Sequence, residues 1–305
     1  MIRNTSNGGN GAPALRCYLN LMSLEDPAVG TSAPATRETG PLFEAIAAAG
    51  YEGVQLTGVA TPEQLAACAR LKLGRAGLGR VNQPEEADPL AARLADEGME
   101  CATLHLGWGT EDDAEAARLI DAVLSASAKH DLPLYVETHR ATIFQDMWRT
   151  VQFVKSFPEL RFNGDFSHWY TGQEMVYGGF ENKLAFIGPV LDRVRFIHGR
   201  IGNPGCMQVD VGDGDAASRP YVGHFKALWT ASFRGFQESA KAGDYFLFVP
   251  ELLSPRIYYA RMLNARDGAL VEECDRWEQS LVLVRIAREC FAEARGASHV
   301  RGSAQ

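Results

Sequence analysis

No run of about 18 apolar residues occurs in this 305-residue chain, which excludes an ordinary membrane-spanning helix. Cysteine is sparse: Cys17, Cys68, Cys101, Cys206, Cys274 and Cys290 are never spaced as in a metal finger or a redox pair. Several sit inside apolar runs and read as small buried hydrophobes with free thiols, which suits a cytoplasmic protein better than a secreted disulfide scaffold. Positive charge is in deficit, with 30 Lys and Arg against 38 Asp and Glu and a formal net charge of −8. That balance argues against an undifferentiated nucleic-acid binder and favours a small-molecule partner. No strand is followed by a G-x-G-x-x-G turn, so the strongest mark of a dinucleotide-binding sheet is missing. Residues 1–14, MIRNTSNGGNGAPA, lack the apolar middle of a secretory signal and read as a disordered leader. Short-period repeats and low-complexity linkers are absent as well.

What is present is an alternation of short β-rich apolar runs with longer helical patterns, in a chain that is 46% hydrophobic. The predicted strands are 15–22, 53–56, 73–81, 99–106, 132–136, 160–164, 194–197 and 245–249. Helices are expected at 41–49, 62–71, 85–98, 112–129, 146–157, 221–242 and 277–294. Thr61 offers an N-cap to the second of these, and Pro158 limits the fifth. Eight strands interleaved with helices predict a single-domain α/β fold, a (β/α)8 TIM barrel over 15–296, with 297–305 as a frayed tail. An open doubly wound sheet is the alternative architecture.

The last four strands carry the chemistry. Leu-Tyr-Val runs into Glu137, Arg-Phe-Asn-Gly into Asp165, Phe-Ile into His198 and Val-Pro into Glu251. In a barrel the C-terminal strand ends converge on one face, so these four side chains are aimed at a shared point. Three carboxylates gathered there repel one another unless a cation sits among them. Three oxygen donors and one imidazole suit one divalent ion, Mn²⁺ or Mg²⁺ first, then Co²⁺ or Zn²⁺. The plainer alternative for each acid is a helix N-cap or a partner for Arg140, Arg200 or Arg256. Close in sequence lie His105, His139, His168 and Arg200, candidates to bind substrate hydroxyls or a developing oxyanion. Trp108 and Trp169 are candidates to face a sugar ring. His130 and His299 read as surface residues. The long polar segment 202–220, rich in Gly and Asp, reads as a mobile loop over the barrel mouth.

The motifs Glu-Thr-His-Arg at 137–140, Gly-Asp-Phe-Ser-His-Trp at 164–169, Ile-His-Gly-Arg-Ile-Gly at 197–202 and Pro-Glu-Leu at 250–252 resemble the xylose-isomerase-like TIM-barrel superfamily. More narrowly, they resemble its sugar phosphate isomerase/epimerase branch. The resemblance implies that Glu137, Asp165, His198 and Glu251 bind the metal, that Glu137 and Glu251 move the proton, and that His168 binds substrate. It breaks at two positions: a substrate-binding Glu of the ketose 3-epimerases is here Ile143, and an Arg is here Pro204. The implied activity is a metal-dependent isomerase or epimerase of a ketose, keto-sugar or related carbohydrate. The alternative at the same site is a lyase, either a dehydratase or a 3-keto-glycoside eliminase. A non-catalytic carbohydrate-binding barrel and an apurinic-site endonuclease rank below both. A homo-oligomer is compatible with all of them.

Overall fold

A computed structural model describes residues 2–28 and 30–302, with side chains to 296. Eight parallel strands close on themselves: β1 (Ala14–Asn20), β2 (Gly53–Thr57), β3 (Gly74–Val81), β4 (Cys101–Leu106), β5 (Leu134–Glu137), β6 (Phe162–Asn163), β7 (Val194–Gly199) and β8 (Tyr245–Pro250). The ring is sealed by β8 pairing with β1, Ala14 opposite Tyr245 and Cys17 opposite Phe248. Around it lie α1 (Thr39–Ala48), α2 (Pro62–Leu71), α3 (Ala87–Asp96), α4 (Asp113–Lys129), α5 (Met147–Ser156), α6 (Phe166–Gly172), α7 (Phe180–Phe186), α8 (Gly188–Leu191), α9 (Pro220–Gln237) and α10 (Arg276–Gly302). Local chemistry starts several of them. Thr61 and Gln64 form a reciprocal capping box on α2, Asp112 and Glu115 do the same on α4, and Asp146 caps α5.

Side-chain alternation builds the interior in layers. Tyr18, Ala76, Cys101, Tyr135, Phe196, Tyr245, Leu247 and Val249 form a buried apolar cluster separate from the larger core between strands and helices. Two residues further along their strands, on the same face, stand Asn20, Thr103, Glu137, His198 and Glu251, all buried. Gln55 and Asn163 join this upper layer from β2 and β6. The apolar plug therefore sits beneath a polar layer, and the strand period alone raises the functional groups to the C-terminal mouth. Tyr18 fills its place so completely that a Cβ on Gly74 would meet its hydroxyl oxygen at 1.8 Å. Only glycine fits there.

Four expectations need correcting. The leader is not disordered: Ile2 is 3% exposed and joins the barrel plug, and Thr5 bonds the Tyr135 hydroxyl at 2.8 Å. Polar composition hid one apolar anchor and a short pairing of Ser6 with Asp244. The segment after β6, to which the sequence reading assigns no helix, folds as α6 to α8, and β6 itself is cut short by an irregular register with β7. A hairpin of β9 (Met262–Asn264) and β10 (Leu270–Glu272) follows β8. Finally, the 202–220 loop is pinned rather than free. Gln208 exchanges hydrogen bonds with the Leu253 backbone at 3.0 and 2.8 Å, and Val211 N–H donates to Gln279 at 2.8 Å. The expected tail, including His299, lies outside the described side chains, and 303–305 lie outside the described residues altogether.

Truncation to residue 8 should test the role of the N-terminal strap. Loss of buried Ile2 alone is worth about 2 kcal/mol, so a melting-temperature drop of roughly 5 °C is expected by calorimetry. An unchanged melting temperature would return these residues to the status of an inert leader.

Candidate metal centre

Glu137, Asp165, His198 and Glu251 meet at the mouth, each offering a ligand atom, with all four atoms within 4.8 Å of one another. All four are buried. The His198 Nδ1 lies 3.2 Å from Glu137 Oε2 and 3.5 Å from Glu251 Oε2. Its other nitrogen, Nε2, sits 2.9 Å from Gln55 Oε1, an oxygen that can only accept. Nε2 thus carries a proton, and Nδ1, which faces the carboxylates, is the nitrogen that would give up its proton to ligate a metal. Asn163 fixes the ring further, accepting from the His198 backbone N–H at 2.9 Å. Asn20 Nδ2 donates to Glu251 Oε1 at 2.9 Å.

Glu137 is lopsided. Its Oε2 faces His105 Nε2 at 3.2 Å, His198 Nδ1 at 3.2 Å and Asn163 Nδ2 at 3.1 Å. Its Oε1 is buried with no hydrogen-bond partner among the described residues. An orphaned carboxylate oxygen inside a ring of three carboxylates and an inward-facing imidazole fits a divalent cation well.

Arg200 is part of this ring. Its fully buried guanidinium bridges Asp165 and Glu251, through Nη2 to Asp165 Oδ2 and, at 3.2 Å, to Glu251 Oε2. Nε also donates to Ser167 Oγ at 3.0 Å. The plainer alternative for Asp165 therefore holds in part, since it pairs with an arginine and its Oδ1 accepts from the Ser167 N–H that starts α6. Arg256 pairs instead with Asp26, and Arg140 lies 5.1 Å from the centre of the Tyr259 ring. A metal here would share two of its carboxylates with Arg200.

Electrostatics reflect the crowding. Burial works to raise the Glu137 pKa, but His198 and His105 overcome it and hold the carboxyl well below its ordinary range. Burial likewise opposes ionisation of Asp165, and Arg200 and His168 prevail to lower it. Glu251 is raised, burial outweighing the pull of His198 and Arg200. Burial would lower His198, yet Glu251 and Glu137 lift it to about 9. His139 is pushed down to about 2 by burial and then by its neighbour His168, so it stays neutral.

The remaining candidates divide. His105, His139 and His168 form a ladder with ring centres 4.1 and 3.9 Å apart. His168 Nε2 lies 3.5 Å from Asp165, and its buried Nδ1 is unpartnered. His105, Glu137 and His139 also fall within 4.8 Å of one another. There, however, Arg80 donates to His105 Nδ1 at 3.3 Å, which leaves Nε2–H to serve Glu137 as a donor. Trp169 is a correction: it is fully buried with its indole N–H on the Phe144 carbonyl at 2.9 Å, a core residue that no sugar can reach. Trp108 stands at the rim, 56% exposed.

No family model matches the sequence and no curated protein matches it. Among solved structures, a xylose isomerase-like TIM barrel protein of Mycobacterium smegmatis in complex with magnesium superposes with a TM-score of 0.56 at 12% identity, covering 91% of this chain and 97% of that one. The chain has the (β/α)8 TIM-barrel fold that this protein shares. A xylose isomerase domain protein of Planctomyces limnophilus gives 0.54 at 16% identity, covering 93% and 98%. AsbF of Bacillus anthracis, a probable 3-DHS dehydratase, gives 0.51 at 13%, covering 78% and 92%.

Sequence reasoning on this barrel missed Asn20, Gln55, Asn163 and Tyr259. The first three carried a signal, a polar side chain inside a strand that is otherwise apolar. Tyr259 carried none. It lies far along the post-β8 segment and covers the site, with Arg200 4.6 Å from its ring centre and its hydroxyl 3.4 Å from His139 Nε2. No helix among the described residues is long and apolar enough to cross a membrane.

Two outcomes are expected. Metal uptake at pH 7 should release about one proton per chain, because His198, raised to about 9, is protonated until the ion displaces that proton. The apparent affinity should then climb as pH rises and level off above about 9; calorimetry in buffers of different ionisation enthalpy reads both. Separately, Arg200→Met should destabilise the metal-free chain by about 3 kcal/mol or more, since it strands two buried carboxylates. Denaturation with added Mn²⁺ should recover part of that loss.

Proposed function

We propose that the chain is a divalent-metal-dependent isomerase or epimerase acting on a ketose, keto-sugar or related carbohydrate, a cytoplasmic enzyme with a small-molecule substrate. The observation that carries this reading is the convergence of Glu137, Asp165, His198 and Glu251, from four successive βα units, on one buried point. Mn²⁺ or Mg²⁺ suits the oxygen-rich set best, with Co²⁺ or Zn²⁺ as alternatives. When bound, the ion supplies a Lewis acid that polarises a carbonyl and makes the neighbouring C–H acidic.

The chain's own residues do the rest. Asp165 and His198 are held from behind by Ser167 and Gln55, and serve chiefly as fixed ligands. Glu137 and Glu251 form the proton-moving pair. On Glu137, Oε2 is engaged by Asn163, His105 and His198, which leaves the unpartnered Oε1 turned toward the site. Glu251 is oriented by Asn20 at one oxygen and by Arg200 at the other, in position to return the proton. Arg200, held rigidly by Asp165 and Ser167, is placed to stabilise negative charge developing on a substrate oxygen. His168 offers its free Nδ1 to a substrate hydroxyl, and Tyr259 above limits access of water.

The second reading, a lyase, begins with the same proton abstraction and ends with departure of a group from the next carbon. AsbF, on a similar fold, is a probable dehydratase, which supports keeping this reading. Product mass separates the two: conserved mass means isomerase, loss of water or an aglycone means lyase.

Glu251→Gln is expected to retain its metal and lose about 10²-fold or more in turnover. In D₂O the wild-type product should carry deuterium at the carbon next to the carbonyl. Full activity of the metal-loaded Glu251→Gln variant would overturn the role given to Glu251.

A further inference from the structure

The loops after β3 and β4 enclose a cleft of about 620 Å³ beside the barrel mouth, lined by Asn82, Gln83, Trp108, Glu111, Glu115 and Arg118 among others. That volume is in the range of small-molecule sites. Trp108 is an unusual wall for it. A residue of this size is seldom left 56% exposed, and here the exposure is built in. The Glu111 carboxylate accepts the backbone N–H groups of Trp108, Gly109 and Thr110 at 2.7, 2.8 and 3.0 Å, and so locks the loop that carries the indole. Gly107 and Gly109 supply the positive φ angles, +63° and +83°, that this tight turn demands. The Arg80 guanidinium lies 4.3 Å from the indole centre and supports the ring. A rigid aromatic platform ringed by amides, carboxylates and a guanidinium is the chemistry that holds a sugar or aryl ring, apolar face on the indole and polar rim satisfied around it. Asn82 adds an Oδ1 with no hydrogen-bond partner among the described residues.

The cleft is also wired to the metal centre. Arg80 donates to the Gly107 carbonyl at 2.7 Å and contacts His105 Nδ1 at 3.3 Å, and His105 Nε2 meets Glu137 at 3.2 Å. Arg80 and His105 thus connect the platform to the Glu137 carboxylate.

We propose that this cleft binds a second ring of the substrate, so that the substrate class is a keto-glycoside, its carbonyl-bearing ring at the metal centre and its other ring against Trp108. The inference rests on the metal-centre reading above. The test uses the full chain with Mn²⁺ and a panel of 4-nitrophenyl glycosides (gluco, galacto, manno and xylo) beside the matching methyl glycosides, read by saturation-transfer NMR and by titration. At least one nitrophenyl glycoside should bind about tenfold more tightly than its methyl counterpart, an advantage that Trp108→Ala abolishes and Trp108→Phe largely keeps. Mn²⁺ should broaden the sugar protons more than the aryl protons. Equal binding of both glycoside types, or an advantage that survives Trp108→Ala, overturns the subsite while leaving a Mn²⁺-loaded centre intact. Trp108-dependent aryl binding with no Mn²⁺ uptake overturns the metal-centre reading and, with it, the pairing of the two sites.

Discussion

Three carboxylates buried within a few ångströms of one another are the constraint on which the rest of this barrel turns. Left alone, Glu137, Asp165 and Glu251 would protonate or force the mouth open. Arg200 cancels part of the charge by bridging Asp165 and Glu251, and His198 takes a proton to cancel more. Neither reaches Glu137 Oε1, which stays unpartnered. The protein thus balances its acids well enough to fold and leaves one oxygen uncommitted. One cluster thus combines an internal charge balance with an oxygen left free of protein partners.

That cluster can exist only because the strands deliver it in register. On β1, β4, β5, β7 and β8 the side-chain period of two separates an apolar plug from the polar layer above, Tyr135 from Glu137, Phe196 from His198, Val249 from Glu251. A one-residue slip would swing a ligand into the surrounding helices. Precision therefore begins at the bottom, where Ile2 and Tyr18 fill the plug and Gly74 makes room for the Tyr18 hydroxyl.

The same layering explains what could be read from the sequence. All eight strands were legible within a few residues, because most are apolar runs bounded by polar turns, and the convergence of Glu137, Asp165, His198 and Glu251 was legible because each stands at or just past a strand end. The supporting residues were harder. Asn20, Gln55 and Asn163 lie inside strands, where one polar letter resembles noise until its neighbours in space are known. Trp169 was misread because proximity in sequence to Asp165 says nothing about direction; α6 turns its indole into the core. Tyr259 left no mark, since tertiary contacts alone place it, whereas the β9–β10 hairpin carried a local signal in the Asp267-Gly268 turn that closes it. The leader deceived by composition, its single apolar anchor being too little to register.

Viewed around the ring, the work is divided by strand number. The ligands come from β5 to β8 or the residues just beyond them, while β1 and β2 supply Asn20 and Gln55, which orient Glu251 and His198 without joining the ligand set. The remaining arc, β3 and β4, carries Arg80, His105 and the loop bearing Trp108, groups that reach toward Glu137 from the side and open outward into a cleft. A closed barrel makes this separation cheap to evolve. Each βα loop can change without disturbing the hydrogen bonds of its neighbours, so substrate-facing loops can diverge while the ligand arc is held by electrostatics. On that view Ile143 and Pro204, standing where the ketose 3-epimerases place a substrate-binding Glu and an Arg, belong to the divergent part.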